Sequence, residues 1–385
     1  MKEKKRFVLV THNIVANFFL RPHLYSLASC FDFKMAYNPK VDDYLPAIPD
    51  EICKINIPLE RKPSLVADVY VLFALVAQLI VWRPEILFSV APKAGFVSMI
   101  VGYCLRIKNR VHLFQGEVWA NRTGFSRWFL KECDRMTLRL ASGALAVSQS
   151  EKQFLKANFG SLADKIEVLG QGSICGVPKK FIRGRVSQDE KMALRAKLGL
   201  PEGHDIVICI FLGRLSVEKG VLDLIEAVKT LQLSAKKQHL LLVGPEESLK
   251  IDDLLETVPE EYRECITFQG FVKDTSDLLA ASDFLCLPSH REGFGMVVLE
   301  AAGACLPSIG TRIYGLTDAI VDDKTGLLVD KGNISDLSKA IERLFHQATL
   351  RTNLGEAAFS RVVEHFPQEL VVDRYTQYFC NLEKK

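Results

Sequence analysis

Residues 284–303 read Phe284-Leu-Cys-Leu-Pro-Ser-His-Arg-Glu-Gly-Phe-Gly-Met-Val-Val-Leu-Glu-Ala-Ala-Gly303. Phe284–Leu287 is a short continuous apolar run, the pattern of a strand covered on both faces. Pro288 ends it, and Phe294–Gly303 opens as a helix. Strand-like runs of this kind recur at Phe7–Val10, Ile86–Val90, Val111–Phe114, Ala144–Val147 and Ile166–Leu169, and again at Ile206–Leu212, Leu240–Val243, Ile266–Phe268 and Ser308–Ile309. Helical stretches separate most of them. Alternation of this kind predicts an α/β chain with parallel sheets and helices on both faces, arranged as two Rossmann-like domains.

The 385 residues carry 49 Lys and Arg against 46 Asp and Glu, with 48% apolar and 25% charged residues. That composition excludes a disordered or collagen-like chain and is ample for two cores. The net +3 hides a division. Residues 1–186 hold 27 basic against 15 acidic residues, a balance of +12, and residues 187–385 hold 22 against 31, a balance of −9. The basic half is expected to meet an anionic surface. Gly176–Glu190, basic and then polar, with Pro178 and Gly184 and no period, is the linker candidate and lies where the balance changes sign.

Ten cysteines are scattered with no Cys-x-x-Cys pair, which fits reduced thiols better than a disulfide framework. Phe7–Val10 is too short for a signal-peptide core and reads as a first strand. Leu65–Trp82 is the most apolar stretch, but Asp68 and Gln78 interrupt it, and it reads as a buried helix.

Chemistry concentrates in two turns of the second half. Glu292 and Glu300 bracket seven residues, and Gly293 and Gly295 let backbone approach a ligand where a helix start offers N–H groups to an anion. Phe211-Leu-Gly-Arg-Leu-Ser-Val-Glu-Lys-Gly220 likewise joins a strand to a helix and carries Arg214 and Lys219. Two fixed cations at the carboxyl ends of parallel strands suit a leaving group on which negative charge grows.

These segments, with Leu240-Leu-Leu-Val-Gly244, Phe268-Gln-Gly-Phe271, Ser282-Asp283, Pro288-Ser289 and Thr325-Gly326-Leu-Leu-Val329, resemble the family 4 retaining glycosyltransferases of the GT-B fold. The resemblance implies two Rossmann-like domains facing each other across a cleft. Residues 1–183 would bind the acceptor, joined by the C-terminal helix 366–385, and residues 184–365 would bind the nucleotide sugar. It implies that Arg214 and Lys219 bind the donor diphosphate and that Glu292 with the backbone of Gly293, Phe294 and Gly295 holds the sugar. Glu300 would take the ribose, Gly213 would line the site, and the backbone at Val272 would meet the base.

The first half resembles the family through Pro92-Lys-Ala-Gly95, Ala146-Val-Ser148 and Val168-Leu-Gly-Gln-Gly-Ser173, most closely the bacterial members that build surface polysaccharides such as O-antigen and capsule on lipid carriers. Where many members carry His-Gly after the strand matched by Val111–Phe114, this chain has Gln115-Gly116-Glu117-Val-Trp119. Gln115 donates a hydrogen bond but is neither acid nor base. Gln115, Glu117 and Trp119 are the acceptor-side candidates, and His112 reads as a packed strand residue. Arg127, Lys131, Arg135 and Arg139 recur at four-residue steps, a cationic helix stripe suited to an anionic membrane.

No Asp-x-Asp pair, His-Glu-x-x-His motif, Cys/His cluster, dinucleotide fingerprint or P-loop occurs, so neither metal nor cofactor is expected, nor nucleic acid. The reading is a metal-independent retaining glycosyltransferase, peripheral on the cytoplasmic face of the cell membrane. It would move a sugar, UDP-linked foremost, to a lipid-pyrophosphate-linked sugar acceptor. Its rivals are a GT-B sugar-nucleotide epimerase or phosphorylase, and a catalytically dead membrane-associated scaffold.

Overall fold

The computed structural model describes residues 4–39, 48–60, 65–231 and 237–382. They form two compact units, residues 1–175 with 368–385, and residues 176–367. Each is built on one parallel sheet flanked by helices, the Rossmann-like pair that the alternating pattern predicts.

In the first unit the strands are β1 (Arg6–Val10), β2 (Asp32–Tyr37), β3 (Cys53–Asn56), β4 (Ile86–Val90), β5 (Asn109–Phe114), β6 (Gly143–Ala146) and β7 (Ile166–Glu167). They lie in the order β3-β2-β1-β4-β5-β6-β7, all pairs parallel. The innermost strands are the most apolar, and all five residues of β4 are buried. β2 and β3 escape the apolar-run reading because polar residues, Asp32 and Lys34 among them, alternate with apolar ones along strands that are only partly covered. The helix Gln368–Asn381 belongs to this unit. Phe379 packs its ring 4.8 Å from both Phe7 and Phe88, and Thr376 Oγ1 hydrogen-bonds Ser26 Oγ at 2.8 Å.

The helix Leu65–Trp82 corrects one expectation. Val71, Leu75 and Leu79, spaced four apart, are buried against the first core, but Val69, Tyr70, Phe73, Ile80 and Val81 face outward. One face is therefore core and the other is an exposed apolar stripe. No helix among the described residues is long and apolar enough to cross a membrane.

In the second unit the strands are β8 (Val207–Leu212), β9 (Gln238–Val243), β10 (Ile266–Phe268), β11 (Phe284–Leu287), β12 (Ser308–Thr311) and β13 (Gly326–Val329), in the order β10-β9-β8-β11-β12-β13, all parallel. Buried Arg195 fastens this unit. It donates to the carbonyls of Ala281 (3.0 Å) and Ile206 (2.9 Å) and pairs with Asp283 at 2.7 Å.

The segment read as a linker is not free chain. The N–H groups of Arg183 and Gly184 both donate to Gly303 O at 3.0 Å, and buried Phe181 lies against Gly303. Residues 176–183 thus pack in the second unit rather than closing the first. Their polarity reflects an exposed face, not independence from the core.

In each sheet the strand order reverses once, between β1 and β4 and between β8 and β11. Successive crossovers leave to opposite sides there, which opens a crevice at the carboxyl ends of the two strands.

Candidate functional site

The two turns singled out from the sequence are the loops that leave β8 and β11, the strands flanking the reversal in the second sheet. The first turn runs through Arg214 to a 3-10 turn at Val217–Lys219 and then Gly220, which adopts φ +71°. A Cβ at Gly220 would overlap the Pro288 carbonyl oxygen, so glycine is what allows the two loops to touch.

Polar contacts then stitch the loops. Lys219 Nζ lies 2.5 Å from Glu292 Oε1, and Ser289 Oγ donates to the same oxygen at 3.0 Å. The His290 N–H donates to Glu218 O at 2.8 Å, Arg291 Nη2 pairs with Glu218 Oε2 at 2.9 Å, and His290 Nε2 stands 2.7 Å from Asp223 Oδ2. Thr311 Oγ1, from the end of β12, donates to Ser289 O. Glu292 is mostly covered, so its carboxylate is held in one place.

Arg214 leaves the end of β8 and pairs with Glu247, from the loop after β9. Its neighbour Gly213 donates its N–H to Val243 O at 2.9 Å. Beyond Glu292 the chain passes Gly293, Phe294 and Gly295 into the helix Met296–Gly303, whose positive dipole end lies at this loop. The Phe294 side chain is buried, its ring 5.6 Å from that of Phe366, which anchors the turn and leaves backbone as its ligand-facing part.

Glu300 lies on that helix. Burial pushes its carboxyl up to about 7, opposed by the Lys180 cation and reinforced by Asp274. Lys180 Nζ and Asp274 Oδ2 are themselves 2.9 Å apart. Asp274 closes the loop carrying Phe271 and Val272, and that loop is tied inward where Gly244 N–H donates to Gly270 O at 2.7 Å.

Sequence reasoning placed Arg214, Lys219, Glu292 and Glu300 but missed Glu247, Asp223, Lys180 and Asp274. Each enters through a loop or helix whose own pattern carries no motif. Asp223 follows the first turn directly, on the helix that it opens, whereas strand order brings Glu247 to Arg214.

In the first unit, Gln115, Gly116 and Glu117 follow β5, and the Gly116 N–H donates to Glu151. Glu151 also accepts from Val147 N–H at 2.9 Å, while its own N–H donates to Ser148 Oγ at 3.1 Å. Ser148-Gln-Ser-Glu151 is a capping-box sequence, the signal that would have found this buried carboxylate. Gln115 is partly exposed and Glu117 is buried. Trp119 departs from its expected acceptor-side place. It is fully buried, stacks on Phe154 at 5.2 Å and donates its indole N–H to Asp134 at 2.8 Å, so it is core. His112 is likewise interior, its Nδ1 2.9 Å from Ser89 Oγ, and burial pulls its pKa down to about 3.

The cationic stripe lies on the helix Gly124–Leu140 but is not uniform. Arg127 and Arg139 are exposed. Lys131 folds back to Asn158 Oδ1 (2.7 Å) over the Trp119 ring, and Arg135 lies over Phe159 beside Glu132. The outward surface at the helix start is aromatic instead, with Phe125, Trp128 and Phe129 exposed and clustered.

Comparison with known proteins agrees with this architecture. Residues 190–361 match the family described as glycosyl transferases group 1. The chain is 26% identical over 316 residues to the capsular polysaccharide biosynthesis glycosyltransferase CapM of Staphylococcus aureus, covering 82% of this chain and 81% of that one. It is 33% identical over 226 residues to the lipopolysaccharide core biosynthesis glycosyltransferase LpsE of Rhizobium meliloti, covering 58% of this chain and 63% of that one. The crystal structure of Anabaena HepE in complex with UDP-glucose superposes with a TM-score of 0.74 at 16% identity, over 98% of this chain and all of that one.

Proposed function

We propose that this chain, a glycosyltransferase by its group 1 domain at residues 190–361, transfers a sugar from a nucleoside-diphosphate donor to a lipid-pyrophosphate-linked sugar, with retention, in the assembly of a cell-surface polysaccharide. UDP is the nucleotide we assign first. HepE was crystallised with UDP-glucose, and CapM and LpsE are named for capsule and lipopolysaccharide synthesis.

The observation that carries the reading is the meeting of Lys219 with Glu292 at the point where the second sheet reverses its strand order. A cation beside a fixed carboxylate matches the two ends of a nucleotide sugar. Lys219 and Arg214 take the diphosphate, and Glu292 takes sugar hydroxyls. Charge grows on the diphosphate as the glycosidic bond breaks, so preorganised cations stabilise the transition state more than the bound donor. The diphosphate oxygen itself accepts the proton of the incoming hydroxyl on the face it leaves. No general-base side chain is required, which makes Gln115 compatible with activity. No metal has a part in this scheme. Glu300 receives the ribose hydroxyls, and backbone near Val272 meets the base.

The acceptor belongs to the first unit, beside the partly exposed Gln115, with Glu117 buried behind that turn. We assign membrane contact to the start of the helix Gly124–Leu140, where Phe125, Trp128 and Phe129 supply apolar insertion and Arg127 and Arg139 supply charge.

The test is a panel of nucleotide sugars incubated with a lipid-pyrophosphate-linked acceptor and read by mass spectrometry, with the anomeric configuration read by NMR. A new glycosidic bond of retained configuration supports the reading, whereas sugar 1-phosphate or an epimerised donor overturns it. By analogy with lost oxyanion donors, Arg214→Ala costs about 10²–10³ in turnover. Flotation with anionic vesicles tests the membrane assignment. Trp128→Ser with Phe125→Ser releases the protein, and unchanged binding removes the assignment.

A further inference from the structure

Among the ion pairs that join an arginine to a carboxylate of another element in the second unit, Arg195–Asp283 and Arg214–Glu247 are built differently. Arg195–Asp283 is made to stay. Arg195 is 1% exposed, its guanidinium is spread over three carbonyls, and Asp283 also accepts from Lys191 and from the N–H of Ile208. Arg214–Glu247 lies at the crevice with side-chain exposures of 31% and 41%. A pair that open to water is worth little, typically within about 1 kcal/mol, and exchanges readily for a stronger partner. A diphosphate is such a partner for a guanidinium, by charge and by bidentate geometry.

Glu247 is nonetheless delivered to this spot by design of the backbone. The Leu215 N–H donates to Pro245 O at 2.9 Å, and the N–H groups of Leu249 and Glu247 return to Leu215 O at 3.2 and 3.3 Å. Gly244, at φ +142°, has no Cβ to collide with the Gly213 carbonyl, so the loop after β9 can lie directly on the loop after β8. Glu246 then fixes the next helix, accepting from Ile251 N–H at 2.8 Å. The backbone is pinned on both sides of Glu247, and only its side chain is left to reach Arg214 or to swing away.

We propose that Glu247 is a displaceable counter-ion of Arg214. It holds the guanidinium while the donor site is empty, yields it to the donor diphosphate, and takes it back as the nucleoside diphosphate departs, so that it sets both donor affinity and product release. This rests on the donor-site reading above. Lys219 is matched with Glu292 in the same way, so each cation of the site faces a carboxylate before the donor arrives. Two uncompensated cations would hold the diphosphate product long after transfer, and a resident anion that competes for one of them shortens that stay.

The experiment is calorimetric titration of the full chain with UDP, with GDP and ADP beside it, for wild type, Glu247→Gln, Glu247→Ala, Arg214→Ala and the Arg214→Ala/Glu247→Gln double variant. Removing one competing charge next to the diphosphate is expected to tighten binding about tenfold. Both Glu247 variants should show it, and KM for the donor and kcat should fall together as release slows. The gain should vanish when Arg214 is already absent. Unchanged or weaker binding by the Glu247 variants, in a wild type that binds nucleoside diphosphate, overturns the inference and makes Glu247 a prop that orients Arg214. A gain that persists without Arg214 overturns it as well. A wild type that binds none of the three nucleotides overturns the donor-site reading and this inference with it.

Discussion

Lys219 Nζ and Glu292 Oε1 lie 2.5 Å apart, and the contact joins the loops that leave two adjacent strands of the second sheet. Because Glu292 is mostly covered, the two partners are not equivalent under mutation. Glu292→Gln keeps an oxygen for Ser289 to donate to and removes only the charge, so the fold is expected to hold while turnover drops by at least about 10². Lys219→Ala instead leaves a covered carboxylate without its cation, and a stability loss of roughly 1–3 kcal/mol accompanies the loss of turnover. Melting curves and steady-state rates separate the two. A Glu292→Gln enzyme with near-normal kcat would remove Glu292 from the donor site.

The Trp119–Asp134 contact yields a pH prediction for stability. Burial raises the Asp134 carboxyl to about 7, and the indole N–H only partly opposes it. Its folded pKa therefore exceeds the unfolded value, and the native state binds the extra proton between about pH 4 and 7. Ionisation then costs stability as pH rises through 7. Asp134→Asn retains an acceptor for the indole and cannot ionise. It is expected to stabilise the protein by roughly 1–3 kcal/mol at pH 8 and by much less at pH 5. Thermal melts at the two pH values decide it, and an equal gain at both would show that Asp134 is not the titrating group.

Gly95, in the helix that follows β4, sits where a Cβ would overlap the ring of His112 on β5. The ring is buried and fastened to Ser89, so it has little room to yield. Gly95→Ala is expected to cost about 1–3 kcal/mol by overpacking. In a His112→Ala background the same change should cost far less, a non-additivity that a double-mutant cycle measures. Additive losses would mean that the strain lies elsewhere.

How much of this was legible in the sequence differs between the two halves for a physical reason. β8, β9 and β11 are buried on both faces, so their continuous apolar runs mark them, and the turns they end in carry Arg214, Lys219 and Glu292. β2 is half covered and alternates, so no run marks it. Trp119 illustrates a second limit. An aromatic in a polar turn reads the same whether it faces a ligand or the core, and only Asp134, fifteen residues on and one helix away, decides for the core. The Arg127–Arg139 stripe is outward only at its two ends for a related reason. Helical spacing fixes direction around the axis, but Lys131 and Arg135 have stems long enough to lie over neighbouring rings. Glu247 is brought to the site by strand order, which no local stretch encodes.

Glu300 offers the sharpest test of the ribose assignment, because its carboxyl titrates near 7. Two ribose hydroxyls donating to it favour the ionised form, so a bound nucleotide lowers its pKa. By linkage, nucleotide affinity then rises with pH as the free carboxyl loses its proton, by at most about tenfold per pH unit below 7, and levels off above it. Glu300→Gln has no such proton to lose, so the ratio of wild-type to variant affinity, measured for UDP from pH 5.5 to 8.5, removes the titration of the diphosphate itself. That ratio is expected to climb through 7. The neighbours fix the sign further. Lys180→Ala withdraws the cation that opposes burial and should move the midpoint to higher pH, and Asp274→Asn withdraws an anion and should move it lower. A flat ratio, or shifts of the opposite sense in the two variants, would place the ribose away from Glu300.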